Sequence, residues 1–241
     1  MTAPLFLGFV AALAALLCAL AAWRFPARRA IGFAAALAIW LVYVGALGRF
    51  GVIADPSRRP PGIAYIVVPV FLFVLLVVLR SAAGGRAARA IPPAILIGLQ
   101  TYRVGVELFL NQLWVAGLVP RMLTFEGANI DILIGMSAPV VAWLSTLGGR
   151  GRRAALVWNG LGLLALANVI VRSALTAPGP LNLLPTDPAN LAIGTFPYTF
   201  IAGFFAPLAV VLHVLAIRAL RAGFRDGPQS SVAAVLKPNA R

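Results

Sequence analysis

The chain has 241 residues, of which 61% are hydrophobic and only 11% are charged, and its mean hydropathy is +0.96. A typical soluble domain is about 45–50% apolar and about 25% charged, so a soluble fold with this composition could not cover its surface with polar groups. The formal net charge of +14 would suit nucleic-acid binding in a polar chain. The apolar content excludes that partner and indicates a polytopic membrane protein.

Seven apolar runs approach the roughly 20 residues that a helix needs to cross a bilayer. The runs are continuous and rich in Ala and Leu, and they do not alternate as barrel strands do. We therefore predict an all-α membrane protein, a bundle of seven transmembrane helices within one domain over residues 1–225. The fourth run is the least apolar, so a six-span alternative stays open. The predicted spans lie near 4–23, 30–48, 63–79, 91–119, 130–147, 154–175 and 196–220.

Basic residues predict the orientation, because Lys and Arg concentrate in cytoplasmic loops. They follow spans one, three, five and seven, where Asp226 is the only acid. This places the N-terminus outside and the C-terminus inside a cell inner membrane, with residues 226–241 as a disordered cytoplasmic tail. The same basic residues are expected to contact anionic lipid headgroups of the bilayer. They are Arg24, Arg28, Arg29, Arg80, Arg86, Arg89, Arg150, Arg152, Arg153, Arg218, Arg221, Arg225, Lys237 and Arg241.

The start of the chain also bears on topology. Met1 to Phe6 carries no charge and so lacks the basic region of a secretory signal peptide. We expect span one to be retained in the mature protein. Cys18, the single cysteine, lies inside that span, so a disulfide framework is not expected.

Span four carries a stripe of polar residues. Gln100, Arg103, Glu107 and Asn111 are spaced to share one helix face. Arg103 lies about 18 Å along the axis from Ile91, near the bilayer midplane. Ionisable groups there cost of order 2.5–3.5 kcal/mol each, so the stripe must face the bundle interior. One interpretation is an Arg103–Glu107 pair that holds neighbouring helices together, and the other is a polar site that extends to the outer surface.

Further polar residues gather on the outer side of the predicted bundle. Each alone is typical of an exposed loop or a helix cap, and Asn129 and Asp131 stand where span five begins. Together they contrast with the inner half, where the functional groups are arginines. The asymmetry predicts a polar pocket that faces outward. With Arg103, Glu107 and Asn111, the predicted ligand-binding residues are Arg121, Glu126, Asn129, Asp131, Asn168, Arg172, Asp187 and Asn190.

Two other polar features lie on the cytoplasmic side of this pocket. Trp158 and Asn159 lie where span six begins, at the cytoplasmic side. His213 lies deep in span seven, nearer the cytoplasm. A single histidine in a span most often forms a hydrogen bond to a neighbouring helix, and the alternatives are a proton relay or a haem ligand.

Several known chemistries are excluded by missing residues. A retinal Schiff base requires a lysine within a helix, and the only lysine, Lys237, lies in the tail. Seven-helix zinc hydrolases need several histidines, whereas this chain has one. Phosphate-loop, Cys-x-x-Cys, His-Glu-x-x-His and Gly-x-Ser-x-Gly motifs are missing. No metal-binding residue is therefore predicted, and the catalytic residues and the cofactor stay unknown.

Part of the chain resembles a family of small bacterial polytopic membrane proteins without a known activity. The resemblance covers roughly the C-terminal half, and its recurring elements coincide with the outer polar residues. The stretches that carry it are Arg103-Val-Gly-Val-Glu107, Gly117-Leu-Val-Pro120, Thr124-Phe-Glu-Gly-Ala-Asn-Ile-Asp-Ile-Leu133, Trp158-Asn159 with Asn168, Ala177-Pro-Gly-Pro180, Asp187-Pro-Ala-Asn190 and Phe196-Pro197.

Three functions fit these observations. In the first, arginines bind a small polar or anionic ligand and Glu107 changes protonation; the apolar inner half then favours a receptor or sensor over a transporter. In the second, an outer-leaflet enzyme acts on a lipid-like substrate with Glu126 or Asp131 as general base. In the third, the protein is a structural or assembly subunit of a membrane complex or a homo-oligomer.

Overall fold

The computed structural model describes residues 3–225, which are helices and connections without a strand. The predicted tail, 226–241, lies outside the described residues. Short 3₁₀ turns occur at Leu99–Thr101, Arg121–Leu123 and Ala192–Gly194, and π-helical turns at Phe73–Arg80 and Ile201–Phe205. The helices are α1 (Ala3–Arg24), α2 (Ala27–Arg49), α3 (Ala64–Leu72), α4 (Ala82–Ala90), α5 (Pro93–Gly98), α6 (Tyr102–Val115), α7 (Asp131–Leu144), α8 (Gly149–Thr176) and α9 (Ala206–Arg225).

The all-helical prediction is confirmed for this part of the chain. Within residues 3–225, four helices are long and apolar enough to cross a membrane, namely α1, α2, α8 and Ile201–Ala222. A fifth crossing results if α3 with its π-helical extension is counted with α4, although the two are bent by 71°. Large apolar side chains such as Ile39, Val42 and Leu164 are 71%, 72% and 68% exposed. Such an apolar exterior is what a bundle surrounded by lipid requires.

The three longest connections meet at one end of the bundle, which we call the loop end. They span residues 50–63, 116–130 and 177–198. The backbone amide of Ala192 donates to the Leu118 carbonyl at 3.4 Å, and Gly194 packs against Ala54. At the opposite end, the basic end, α4 lies between α1 and α9. Arg24 of α1 donates to the Ala90 carbonyl, and Arg218 of α9 donates to the Val78 carbonyl.

Aromatic residues hold α9 against α1 and α6. The Phe6 ring makes edge contacts with Phe109 and Phe205, at centroid distances of 5.0 and 5.8 Å. The π-helical turn before α9 departs from regular α-helical hydrogen bonding, and side chains bind its carbonyls. Trp40 donates to the Gly203 carbonyl at 2.7 Å, and Tyr102 donates to the Phe205 carbonyl at 2.5 Å. These contacts fix the register of α9 beside α6.

Helix α7 begins inside the bundle. Its first residue, Asp131, forms an ion pair with Arg103 in α6. Because α6 continues from Arg103 to Val115, about 18 Å at 1.5 Å per residue, the 116–130 connection must fold back into the bundle. Leu123, Thr124 and Asn129 are 0%, 0% and 2% exposed accordingly.

The position of α7 differs from the sequence-based expectation, which placed Asn129 and Asp131 on the outer surface. With 14 residues, α7 covers only the part of the bundle between Arg103 and the basic end. Irregular backbone is tolerated at membrane depth where protein surrounds it. Gly127 permits the fold, since a Cβ atom there would lie 2.3 Å from the Arg121 carbonyl oxygen.

Candidate functional site

Six polar side chains meet inside the bundle, where α6, α7, α8 and α9 converge. All six are at least 95% buried. They come from four of the predicted spans and from the re-entrant 116–130 connection, and their sequence separations reach 110 residues. We call them the buried polar cluster: Arg103, Glu107, Asn129, Asp131, Asn159 and His213.

Arg103 is the centre of this cluster. Its guanidinium forms an ion pair with Asp131 and lies 2.9 Å from His213 Nε2 through Nη1. The predicted partner of Arg103 was Glu107, its neighbour one turn along α6. The structure pairs Arg103 with Asp131 instead, because the 116–130 connection brings the start of α7 to the same depth. A guanidinium presents several donors in a planar fork, so it can bind both groups at once.

The hydrogen bonds define the tautomer of His213. Arginine can only donate, so Nε2 of His213 accepts from Arg103 and carries no proton. Nδ1 then donates to Asn159 Oδ1, 2.8 Å away. The Asn159 amide nitrogen in turn donates to the Ala155 carbonyl at 2.8 Å, which is the arrangement that leaves Oδ1 free to accept. His213 is thus a neutral imidazole with its proton on Nδ1.

The histidine ring is held on two sides. Trp158 packs against it with ring centroids 5.5 Å apart. On α8, Gly162 lies so close that an added Cβ atom would be 2.3 Å from His213 Cε1. A glycine is therefore required at this position for the ring to sit between α8 and α9.

Glu107 and Asn129 form the other half of the cluster. The Asn129 amide nitrogen donates to Glu107 Oε1 at 2.6 Å and to the Leu123 carbonyl at 3.0 Å. Asn129 Oδ1 accepts from the backbone amide of Asp131, the first residue of α7, at 3.0 Å. The N-cap residue of α7 is Ile130, which forms no side-chain cap hydrogen bond. Asp131 is thus at the positive end of the α7 dipole, and Asn129 links Glu107 to the same helix end.

The electrostatics of the cluster are unbalanced. One arginine faces two carboxyl groups, so the cluster carries a net charge of −1 when both are ionised and is neutral when one is protonated. An uncompensated charge is costly in an apolar interior. Within residues 3–225, nine buried side-chain polar atoms lack a hydrogen-bond partner. Four of them belong to the cluster: Arg103 Nη2 and Asp131 Oδ1 form the ion pair with each other, and Arg103 Nε and Glu107 Oε2 have no partner in this part of the chain.

The remaining predicted site residues lie nearer the loop end. Asn111 donates to Glu126 Oε1 at 3.1 Å, at the exposed end of α6. Arg121 is exposed and stacks over Trp114, with its guanidinium 5.8 Å from the ring centroid. Asp187 is exposed in the 177–198 connection.

Asn168, Arg172 and Asn190 position loops. Asn168 donates to the Ala128 carbonyl at 3.0 Å and accepts from Arg172 Nε at 2.8 Å, which fastens the re-entrant connection to α8. Asn190 donates to the Ser173 carbonyl at 3.0 Å, which holds the 177–198 connection on the same helix. These residues support the cluster from outside it.

The sequence did not assign His213 and Asn159 to the site. A signal existed in the pattern, since Asn159 and Asn168 of α8 and His213 of α9 are isolated polar groups in otherwise apolar stretches. The meeting of Asn159 with His213 depends on helix packing over 54 residues of separation, which no local pattern reports. Of the three interpretations of His213, the hydrogen bond to neighbouring helices is the one that the structure contains.

Within residues 3–225, no three His, Cys, Asp or Glu residues come close enough together to hold a metal ion. A cavity of about 40 Å³ lies between α1, α6 and the start of the π-helical turn. It is lined by Phe6, Phe109, Gln112, Leu113, Ala116, Leu118 and Tyr198, and a space of this size holds about one water molecule.

Comparison with known families gives one result. Residues 60–221 match the family model described as Domain of unknown function (DUF8737). The chain belongs to this family. The matched range contains the whole buried polar cluster and every stretch on which the resemblance to an uncharacterised family was based. No curated protein and no solved structure matches the chain.

Proposed function

We propose that this family member is a multi-pass protein of the cell inner membrane that binds a small polar or anionic ligand beside the buried polar cluster. It crosses the membrane seven times, with its N-terminus and loop end outside and its basic end in the cytoplasm. The support for this orientation is the distribution of charge. Fourteen basic residues and one acid belong to the basic end and the tail, which is the asymmetry of cytoplasmic loops.

The observation that carries the proposal is the start of α7 inside the bundle. Membrane carriers use discontinuous helices whose N-terminal ends point at anionic substrate groups near the midplane. Here that end faces Arg103 and Glu107, and Glu107 Oε2 is buried without a partner within residues 3–225. A cluster that served only to hold helices together would satisfy its polar atoms.

The chemistry of the ligand follows from Arg103. Its present partner is a carboxylate, Asp131, so the same guanidinium fits the carboxylate or phosphate of a ligand. Binding of such an anion releases Asp131 and adds negative charge, which uptake of a proton by Glu107 would offset. Ligand binding and protonation of the cluster are therefore coupled in this proposal.

A specific observation favours a transporter over a receptor. From the sequence, the half of the bundle nearest the basic end offered no polar path, which argued against transport. In the structure, His213 and Asn159 continue the hydrogen-bonded chain from Arg103 toward that end. These side chains provide hydrogen-bond donors and acceptors between the proposed ligand site and the basic end.

The experiment is a ligand screen by thermal unfolding in nanodiscs. A panel of small carboxylates and phosphate esters is added to wild-type protein and to Glu107→Gln, Arg103→Lys and Asp55→Asn. Asp55 is the matched control, because it is a carboxyl group on the 50–63 connection outside the cluster. We expect one class of anion to raise the Tm of wild type and Asp55→Asn but not of the two cluster variants.

The structural interpretation, in which the cluster only joins helices, predicts a different result. If the cluster only joins helices, no anion on the panel raises the Tm of the wild type, and Arg103→Lys lowers the Tm in the absence of ligand. That pair of results would reject ligand binding in favour of a structural role.

A further inference from the structure

Two arginines converge on one glycine at the basic end. A methyl group at Gly85 in α4 would lie 3.2 Å from Arg218 Nη2 and 3.7 Å from Arg89 Nη1. The two guanidinium groups thus flank the same point, with these nitrogen atoms less than about 7 Å apart. Since glycine has no side chain, position 85 itself places no atom against the two guanidinium groups.

No acidic residue of the described part of the chain neutralises this pair. Asp55 pairs with Arg58, and Glu126 with Asn111. Glu107 and Asp131 belong to the buried polar cluster, and Asp187 lies in the 177–198 connection at the loop end. Two like charges held this close repel each other unless an anion lies between them. Guanidinium groups match the oxygens of a phosphate in particular.

Hydrogen bonds hold both ends of α4 in place, so the fold determines the position of Gly85 beside Arg218. The Ser81 hydroxyl accepts from the Gly84 amide at 3.2 Å and caps the start of the helix. Arg24 donates to the Ala90 carbonyl at its end, where a cation complements the helix dipole. Arg218 donates to the Val78 carbonyl just before the helix. Gly84, Gly85 and Ala88 face the protein, whereas Arg86 and Arg89 are exposed.

The surroundings have the chemistry of a membrane interface. α4 bends by 71° from the apolar helix before it and lies beside the end of α1. There Trp23 is 66% exposed and stacks with Arg24, whose guanidinium lies 4.9 Å from the ring centroid. Exposed tryptophan and arginine side chains typically lie at the level of lipid headgroups.

We propose that Arg89 and Arg218 bind a phosphate group over Gly85. The group belongs to an anionic phospholipid headgroup or to a soluble phosphate ester, since both present the same oxygens. This site is separate from the buried polar cluster and does not depend on the function proposed for it.

The test measures binding of phosphatidylglycerol to the full-length protein in detergent by native mass spectrometry, with phosphatidylcholine as the neutral comparison. Arg89→Gln removes one cation from the site. Gly85→Leu keeps every charge and fills the space between the guanidinium groups. Arg153→Gln is the control, because it removes an exposed arginine of the first turn of α8 elsewhere at the basic end.

We expect Arg89→Gln and Gly85→Leu each to weaken phosphatidylglycerol binding about fivefold, the factor that corresponds to ~1 kcal/mol per basic residue near a membrane surface. Arg153→Gln should change it less than twofold. Inorganic phosphate and glycerol 3-phosphate form the second arm. If they bind with the same dependence on Arg89 and Gly85, the site takes soluble phosphates; if they do not, it takes the lipid.

Two outcomes overturn the proposal for the lipid and for the soluble phosphates alike. If all three variants reduce binding equally, or if none does, the basic end attracts anions only through its total charge. Because Arg89 is exposed, Arg89→Gln is not expected to unfold α4. Leucine favours helices but at position 85 must displace Arg218, so circular dichroism verifies that Gly85→Leu keeps its helix content.

Discussion

Nη1 of Arg103 lies 2.9 Å from Nε2 of His213, and this contact joins α6 to α9 in the interior of the bundle. Arg103 therefore has two different partners, the carboxylate of Asp131 and the neutral imidazole of His213. The contact also gives His213 a defined role, because it determines which ring nitrogen carries the proton.

The first prediction concerns that proton. The chain has one histidine, so a single ¹⁵N-histidine label reports on His213 alone. Solid-state NMR of the protein in lipid at pH 7 should show a neutral ring with a protonated Nδ1 and an unprotonated Nε2. A spectrum with the proton on Nε2 would mean that Arg103 does not donate to this ring.

The second prediction uses two glycines of α8. Gly162→Ala places a Cβ atom 2.3 Å from His213 Cε1, and overpacking of this kind costs about 1–3 kcal/mol. Gly160→Ala, in which the new atom meets nothing within 4 Å, should be neutral or slightly stabilising because alanine favours helices. Thermal unfolding in detergent compares the two, and equal Tm values would contradict the packing of His213 against α8.

The third prediction concerns the ion pair. Asp131→Asn leaves the Arg103 charge buried without its carboxylate, which costs about 3–5 kcal/mol in comparable sites. The double variant Arg103→Met with Asp131→Leu removes both charges and should recover much of that loss. A denaturant series measures the free energy of unfolding of wild type and both variants. A double variant no more stable than Asp131→Asn would show that the two side chains are not coupled.

The fourth prediction concerns topology. In a Cys18→Ser background, Ser57→Cys reports on the 50–63 connection and Thr146→Cys on the connection after α7; both positions are exposed. A membrane-impermeant maleimide should label position 57 in intact cells and position 146 only after the membrane is opened. The reverse pattern would invert the proposed orientation, and labelling of both positions in intact cells would reject seven crossings.

The helices were predictable from the sequence because hydropathy is a local property. Each apolar run is largely helical in the structure, although 3₁₀ or π-helical turns interrupt the third, fourth and seventh runs and α4 lies where a loop was predicted. The buried face at Gln100, Arg103 and Glu107 followed from their spacing. Their exposed fractions of 0%, 3% and 2% agree with the rule that ionisable groups in a span face the interior.

The partners of those residues were not predictable in the same way. The 116–130 connection contains Pro120, Gly127 and several polar residues, the composition of a surface loop. Its return into the bundle is stabilised by contacts between distant parts of the chain, such as the hydrogen bond from Asn129 to Glu107 over 22 residues. Helix α7 therefore starts deeper than hydropathy indicates, and the Arg103–Asp131 pair replaces the expected Arg103–Glu107 pair.

The central claim is that the buried polar cluster binds an anion at the start of α7, and an experimental density map tests it most directly. The map should be recorded in a nanodisc with the anion that gives the largest rise in Tm. We predict non-protein density within hydrogen-bond distance of Arg103 and Glu107, with Asp131 displaced from the guanidinium. A map in which Asp131 still pairs with Arg103 and no further density lies beside Glu107 would contradict the claim.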